Sequence, residues 1–238
     1  MTDKPILFSG PMVRALLDGR KTQTRRVAKI TAVMGDKVGV TSPNESLIEM
    51  EPGEFHKGIF HYESVDALSG PYHLPYAIGD HLWVREGLHR DPDLWRYRAD
   101  DEEVGWPARR DLAYRKRDYL PSIHMPRWAS RLTLVVTDVR VQRLQEISAE
   151  DAQAEGVQPV HDPASDTGEP AYLNYQDNGE AFAGLGAARL SFMTLWDSLN
   201  AKLGYGWDVN PWVAAYTFDV HRQNIDQMTK TLQQMRTT

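Results

Sequence analysis

The stretch ASRLTLVVTDVRVQRL, Ala129 to Leu144, constrains the fold more than any other part of the chain. It is rich in β-branched residues and alternates over much of its length, so it reads as a strand long enough to bend around a barrel and serve two sheets. The elements around it are shorter. PMVRALLDG reads as one helix, with Met12, Val13, Leu16 and Leu17 at helical spacing and Gly19 placed to end it in the left-handed conformation. KTQTRRVA then leaves that helix as a strand. YAIGDHLWVREGL combines a turn at Gly79-Asp80 with a strand from Leu82 to Arg85, and DLWRYRAD follows as another strand after a turn at Asp91-Pro92. ISAEDAQAEGV forms a compact helix, with Ser148 as N-cap, Asp151 in the capping-box position and Gly156 as its stop. AARLSFMTLWDSLNAKLG is a second amphipathic helix whose expected buried set is Leu190, Met193, Leu195, Trp196 and Leu199. PWVAAYTFDVHR closes the order as a strand.

This order, with neither a βαβ rhythm nor a phosphate loop, predicts an α+β fold: a small β-barrel decorated by about three helices. Residues 1–222 are expected to form a single domain with insertions at about 30–76, 101–123 and 157–186, followed by a tail over 223–238. The first insertion should contain short strands, because a structureless loop of that length is improbable. The second is charged and irregular, and the third, with Pro159, Pro163 and Pro170, reads as a mobile loop. In the tail, Ile225, Met228, Leu232 and Met235 suit either a helix that packs on a partner or a frayed end.

Composition removes several classes of chemistry. With no cysteine, disulfides, thiolate zinc sites and cysteine nucleophiles are excluded. His56 and His61, and the scattered His73, His81 and His89, lack any His-Glu-x-x-His or paired-carboxylate motif, so surface or locally bonded histidines are expected, with no metal and no cofactor. No G-x-S-x-G marks a serine elbow. MTDKPILFSG lacks the order of a signal peptide and no apolar run approaches about 18 residues, which predicts a cytoplasmic protein without a membrane partner. The net charge of -6 argues against coating nucleic acid by global electrostatics. Locally, Arg14, Arg20, Lys21, Arg25, Arg26 and Lys29, and separately Arg109, Arg110, Arg115, Lys116, Arg117, Arg127 and Arg131, form basic segments. They could meet as an anionic-ligand face or remain separate solvated runs.

GRKTQTRR, Gly19 to Arg26, holds the distinctive hydroxyl-plus-base pair. Lys21 and Thr24 are three apart, which sends them to opposite faces of a straight strand but lets them converge in a turn that leads into one. For Lys21 to serve as a base, its ordinary pKa of about 10.4 must fall, as the neighbouring cations Arg20, Arg25 and Arg26 would encourage. Thr24 could equally be an ordinary strand threonine, and Arg26 a partner for an acidic residue such as Glu86.

GRKTQTRR after a short helix, the GDHLWVRE strand, the long ASRLTLVVTDVRVQRL strand, the ISAEDAQAEG helix and the closing PWVAAYTF strand together resemble the ASCH domain family of PUA-like barrels. PILFSGPMVRALLDGRKTQTRR and PSIHMPRWASR are similar to its phage- and prophage-borne branch. The resemblance implies a PUA-like barrel from about Ile6 to Val220. The family includes bacterial amidohydrolases that deacetylate N4-acetylcytidine with a lysine proton acceptor, a threonine nucleophile and a glutamate proton donor. Carried over by motif, these roles fall on Lys21, Thr24 and Glu155. Glu155 also sits in the last turn of its helix, where a carboxylate opposes the macrodipole by about 0.3–1 kcal/mol.

The implied substrate is an N4-acylated cytidine or a related modified nucleoside, with Arg26 or a backbone N–H steadying the oxyanion. Trp83 and Trp128 lie in arginine-containing segments, LWVRE and PRWASR, so an indole and a guanidinium could sandwich a base. Arg85, Glu86 and Arg127 join them as candidate substrate-binding residues. The rival readings are an RNA or modified-nucleic-acid binding module without catalysis and an ASCH-type ribonuclease.

Overall fold

The computed structural model describes residues 2–28, 31–34, 37–40, 55–56, 59–61, 71–91, 94–105, 117–160, 170–176 and 181–236. The fold is α+β, with mixed sheets and four α-helices among the described residues. The main strands are β1 (Asp3–Leu7), β2 (Gln23–Val27), β3 (His81–Arg85), β4 (Thr133–Arg143) and β5 (Trp212–His221). The helices are α1 (Gly10–Leu17), α2 (Ala149–Ala154), α3 (Ala187–Asn200) and α4 (Ile225–Arg236). The chain divides into two compact units, Met1–Thr22 with Gly79–Thr137 and Phe218–Thr238, and Gln23–Ile78 with Asp138–Thr217. β4 and β5 each run from one unit into the other. No closed barrel is formed among the described residues, and no described helix is long and apolar enough to cross a membrane.

In the first unit β1 lies parallel to β3, with Ile6 opposite Val84, and β3 pairs antiparallel with the start of β4, with Leu134 opposite Leu82. These four residues are fully buried and build the centre of the sheet. α1 starts with a proline in its first turn and buries Met12, Val13, Ala15 and Leu16. Leu17, expected on that face, is only half-buried. Gly19 has φ +74°, its N–H donating to the Leu16 carbonyl while Arg20 N–H reaches back to Ala15, the Schellman pattern of a helix stop. Lys21 N–H donates to the same Ala15 carbonyl, so the stop fixes the backbone of the residue that leaves it.

A second cluster of this unit contains Leu88, Trp95, Tyr97, Val104, Leu120, Met125 and Ala129. It sits on a small sheet of Leu88–Asp91, Leu94–Tyr97 and Tyr119–Leu120. The stretch 101–123 is therefore not irregular throughout, because Leu120 supplies an apolar anchor to the sheet. Residues 106–116, which carry Arg109, Arg110, Arg115 and Lys116, lie outside the described residues, as does Lys29. α4 covers part of what the sequence left as a tail, with Ile225 fully buried and Met228 buried.

In the second unit β5 pairs antiparallel with β2, placing Tyr216 opposite Thr24 and Ala214 opposite Arg26. Within 30–76, strands at Thr31–Met34 and Lys37–Val40 form one hairpin, and Phe55–His56, Ile59–His61 and Pro71–His73 form a three-stranded sheet. The expected mobile loop over 157–186 is corrected in its described part, where Pro159–Val160, Ala171–Leu173 and Ala181–Phe182 pair as a sheet with Ala171 and Tyr172 buried.

The expected apolar face of α3 holds for Leu195 and Trp196, which are buried, and is corrected for the rest. Leu190 and Leu199 are exposed, while Ala188, Ser191, Phe192 and Leu195 point inward. Ser191 can be buried because its hydroxyl donates to Leu173 O at 2.6 Å, so the inward stripe includes a polar residue that a hydrophobic pattern does not count.

At Gly19 an added Cβ would meet nothing within 4 Å, so only the positive φ resists substitution. Gly19→Ala is expected to lower unfolding free energy by about 1 kcal/mol in urea titration, without altering the shape of the transition.

Candidate functional site

β2 is polar along most of its length and yet buried. Gln23, Thr24 and Arg25 are all buried, and Arg26 is half-buried. Such a strand survives only if nearly all of its polar groups find partners, and of the Arg25 guanidinium only Nε lacks one. Arg25, whose side chain is wholly out of solvent, donates to Asp151 Oδ2 at 2.6 Å, to Glu155 Oε1 at 3.1 Å and to Gln23 Oε1 at 3.1 Å. Gln23 Nε2 donates in turn to Asp151 Oδ1 at 3.0 Å, and Arg140 reaches the same carboxylate from the solvent side. Gln23 and Arg25 thus dock β2 on α2, whose N-cap Ser148 accepts from Asp151 N–H.

Burial works against the ionised form of Asp151, but the Arg25 charge, the Gln23 hydrogen bond and Arg140 outweigh it and hold the carboxyl below its ordinary value. Glu155 is the C-cap residue of α2 and is buried. The mismatch between its charge and the helix end is compensated by the Arg25 guanidinium. The sequence placed Arg25 only among the cations near Lys21. Its role as the partner of Glu155 had no signal in the local pattern.

Alternation sends Thr24 to the face of β2 opposite Gln23 and Arg25. There it stands across from Tyr216, which is completely buried. Tyr76 meets the Tyr216 ring edge-on, with centroids 5.2 Å apart, and burial pushes the Tyr76 phenol up while the charge of Arg26 pulls it down. The second unit therefore carries Glu155 with Arg25 on one side of β2, and Thr24 with Arg26 and the two tyrosines on the other.

The first unit holds Lys21 and the remaining candidates. Lys21 is 2 % exposed, the one buried lysine among the described residues, and its Nζ lies 5.4 Å from the centre of the Phe8 ring. Glu86 is 1 % exposed, and both of its oxygens are taken by Arg131 at 2.9 and 3.0 Å. Arg131 also binds Asp100 and Glu102 and stacks 3.9 Å over the Tyr97 ring. Burial raises the Glu86 carboxyl even against the pull of Arg131, because Asp100 and Glu102 add like charge beside it. Arg131 itself is raised, since its bonds to Glu86 and Asp100 outweigh desolvation. Glu86 is thus a structural carboxylate under a shared guanidinium.

Trp83 is half-buried with the Arg85 guanidinium 5.1 Å from its ring centre, and Arg85 donates to the Ile123 carbonyl. Arg127 bridges Asp3 and Asp226, and the half-buried Trp128 packs against the Leu88 cluster. His81 and His89 each face an aspartate, Asp3 and Asp101. The side chains of His56, His61 and His73 lie outside the described residues.

Replacing Arg25 by Met leaves two carboxylates without their buried cation, and an unfolding titration is expected to show a loss of about 3–5 kcal/mol. Arg25→Lys restores only part of it, because one ammonium cannot span Gln23, Asp151 and Glu155 as the planar fork does. The Asp151 carboxyl is lowered in the folded state, so its stabilisation is present above the ordinary aspartate value and is lost as pH falls through the folded value. Asp151→Asn should therefore flatten the decline of stability with acidification below about pH 4.

Comparison with family models, with curated proteins and with solved structures finds no match to this chain.

Proposed function

We propose that the protein is an amidohydrolase acting on an N4-acylated cytidine or a related modified nucleoside, in line with its resemblance to the ASCH family. The observation that carries this reading is the burial of the motif: Lys21 and Thr24 are 2 % and 4 % exposed, where a solvated basic patch would leave them open. Burying a lysine is expensive, and desolvated amines gather at functional sites. A second observation weakens the rival reading as a phosphate-binding surface. Arg20, Arg25, Arg127 and Arg131 already pair with carboxylates of the protein. Such arginines have little charge left for a nucleic-acid backbone.

In this reading Thr24 Oγ1 attacks the acyl carbonyl while Lys21 Nζ, entering as the neutral amine, accepts the hydroxyl proton. The tetrahedral intermediate collapses by breaking the bond to the exocyclic nitrogen, which takes the proton held by Lys21 and leaves as the free amine of cytidine; Glu155, the proton donor the resemblance implies, stands with Arg25 across β2 from Thr24. Water then attacks the threonyl ester while the neutral Lys21 amine takes its proton and passes it to the departing Thr24 oxygen, so that the carboxylic acid is released and Thr24 and Lys21 are both restored. Arg25 would act on Glu155 by fixing the position of Oε1. Arg26, on the Thr24 face, would supply positive charge to the developing oxyanion.

The half-buried Trp83 with Arg85 across its ring is the feature that favours nucleic-acid binding without catalysis. One experiment separates the two. Wild type, Lys21→Ala, Thr24→Ala and Glu155→Gln are incubated with N4-acylated cytosine nucleosides and short RNAs, and the products are weighed by mass spectrometry. The hydrolase reading expects loss of the acyl mass with wild type, no turnover with Thr24→Ala, and a rate lowered about 10²–10⁴-fold with Lys21→Ala, all three variants remaining folded. Absence of any wild-type-dependent mass change, together with RNA affinity that falls steeply with salt, would replace it by the binding reading.

A further inference from the structure

Tyr216 is the largest fully buried side chain among the described residues. Among those residues its O–H has no hydrogen-bond acceptor. A weak hydrogen bond from the Tyr76 backbone lowers the phenol's pKa, as an N–H directed at Oη would, and supplies no acceptor for its O–H. An unsatisfied buried hydroxyl costs about 1–3 kcal/mol, and a core position opposite a strand threonine would be filled more stably by phenylalanine. The oxygen therefore calls for an explanation that a packing role does not supply.

Its place supplies one. Tyr216 is the cross-strand partner of Thr24 in the antiparallel ladder, so both side chains stand on the same face with Cβ atoms about 4.5–5.5 Å apart. Arg26, two residues along β2, shares that face and acts electrostatically on Tyr216 and Tyr76. Arg26 and Tyr76 are both only half-buried, which leaves the side of the cluster nearest them partly open. Burial, reinforced by Tyr76, pushes the Tyr216 phenol far above the ordinary tyrosine value, with Arg26 pulling the other way. At neutral pH it is therefore an O–H donor rather than a phenolate.

We propose that Tyr216 Oη is the hydrogen-bond donor of the Thr24 face, reserved for a carbonyl oxygen of the bound nucleoside. The inference rests on the hydrolase reading only for the kind of ligand. The donor is the neutral phenol, so recognition needs no proton transfer to it or from it. Ligand binding satisfies a group that the free protein leaves unpaired, which makes the free enzyme less stable than it could be and the complex selective.

The test is Tyr216→Phe, which removes one oxygen and keeps the ring. Thermal melting is expected to show a Tm equal to or above that of wild type. Affinity for N4-acetylcytidine, measured by calorimetry with Thr24→Ala as the reference so that nothing turns over, is expected to fall about tenfold in Thr24→Ala/Tyr216→Phe. Cytidine in the same titration tells the two carbonyls apart. An equal loss for both ligands assigns the ring oxygen, and a loss confined to N4-acetylcytidine assigns the acyl oxygen.

Weakened binding without wild-type hydrolysis would keep the donor and discard the hydrolase reading. Hydrolysis with unchanged KM and kcat in Tyr216→Phe would do the reverse. A lower Tm with unchanged affinity would overturn the inference by making the phenol structural, and failure of every nucleoside to bind would overturn both.

Discussion

The buried guanidinium of Arg25 is the interaction on which the second unit depends. A strand carrying Gln, Thr, Arg and Arg in succession would ordinarily lie at a surface. Here it is buried because Arg25 gathers Gln23, Asp151 and Glu155 around one planar fork, so that β2 docks on α2 through charge and hydrogen bonds rather than apolar area. Once that face of the strand is fixed, the pleat decides the rest. Thr24 and Arg26 must point the other way, toward the partner strand and Tyr216.

The first unit uses the same device with Arg131, and the contrast is informative. Arg131 holds three carboxylates and an aromatic ring, with Glu86 gripped at both oxygens. That cluster closes the charges upon themselves. The Thr24 face does not, because its phenol O–H is left without an acceptor while a half-buried arginine stands nearby. Satisfied buried networks specify a fold, and the Tyr216 phenol is one of the few buried polar groups, with Arg25 Nε and Arg85 Nε, left outside such a network among the described residues.

These pairs also account for the charge balance. A chain of net charge -6 with dense local basic segments looks contradictory on paper. Among the described residues, Arg20, Arg25, Arg127 and Arg131 of those segments are spent internally, on Asp18, Asp151, Glu155, Asp3, Asp226, Glu86, Asp100 and Glu102. Their partners lie up to 130 residues away in the chain, as for Arg25 with Glu155, so a window of sequence sees the cations without the anions.

The sequence by itself determined the local elements: the helix that stops at Gly19, the Ser148-capped helix, the long strand through Val135 and the closing strand through Tyr216. Each rests on contacts between residues close in the chain, and such contacts leave a period or a cap that can be read directly. It also drew attention to Lys21 and Thr24 as a hydroxyl beside a base, while Glu155 came only from the family resemblance. Tertiary structure alone decided which face of α3 is inward, since Ser191 counts as polar until Leu173 O accepts its proton. It alone decided that Glu86 belongs to Arg131, that Trp128 packs on the Leu88 cluster, and that Glu155 is held by Arg25. It alone left the Tyr216 hydroxyl unpaired. The physical reason is common to the four polar cases, Ser191, Glu86, Glu155 and Tyr216: the cost of a buried polar group depends on a partner brought from far along the chain, and only folding chooses that partner.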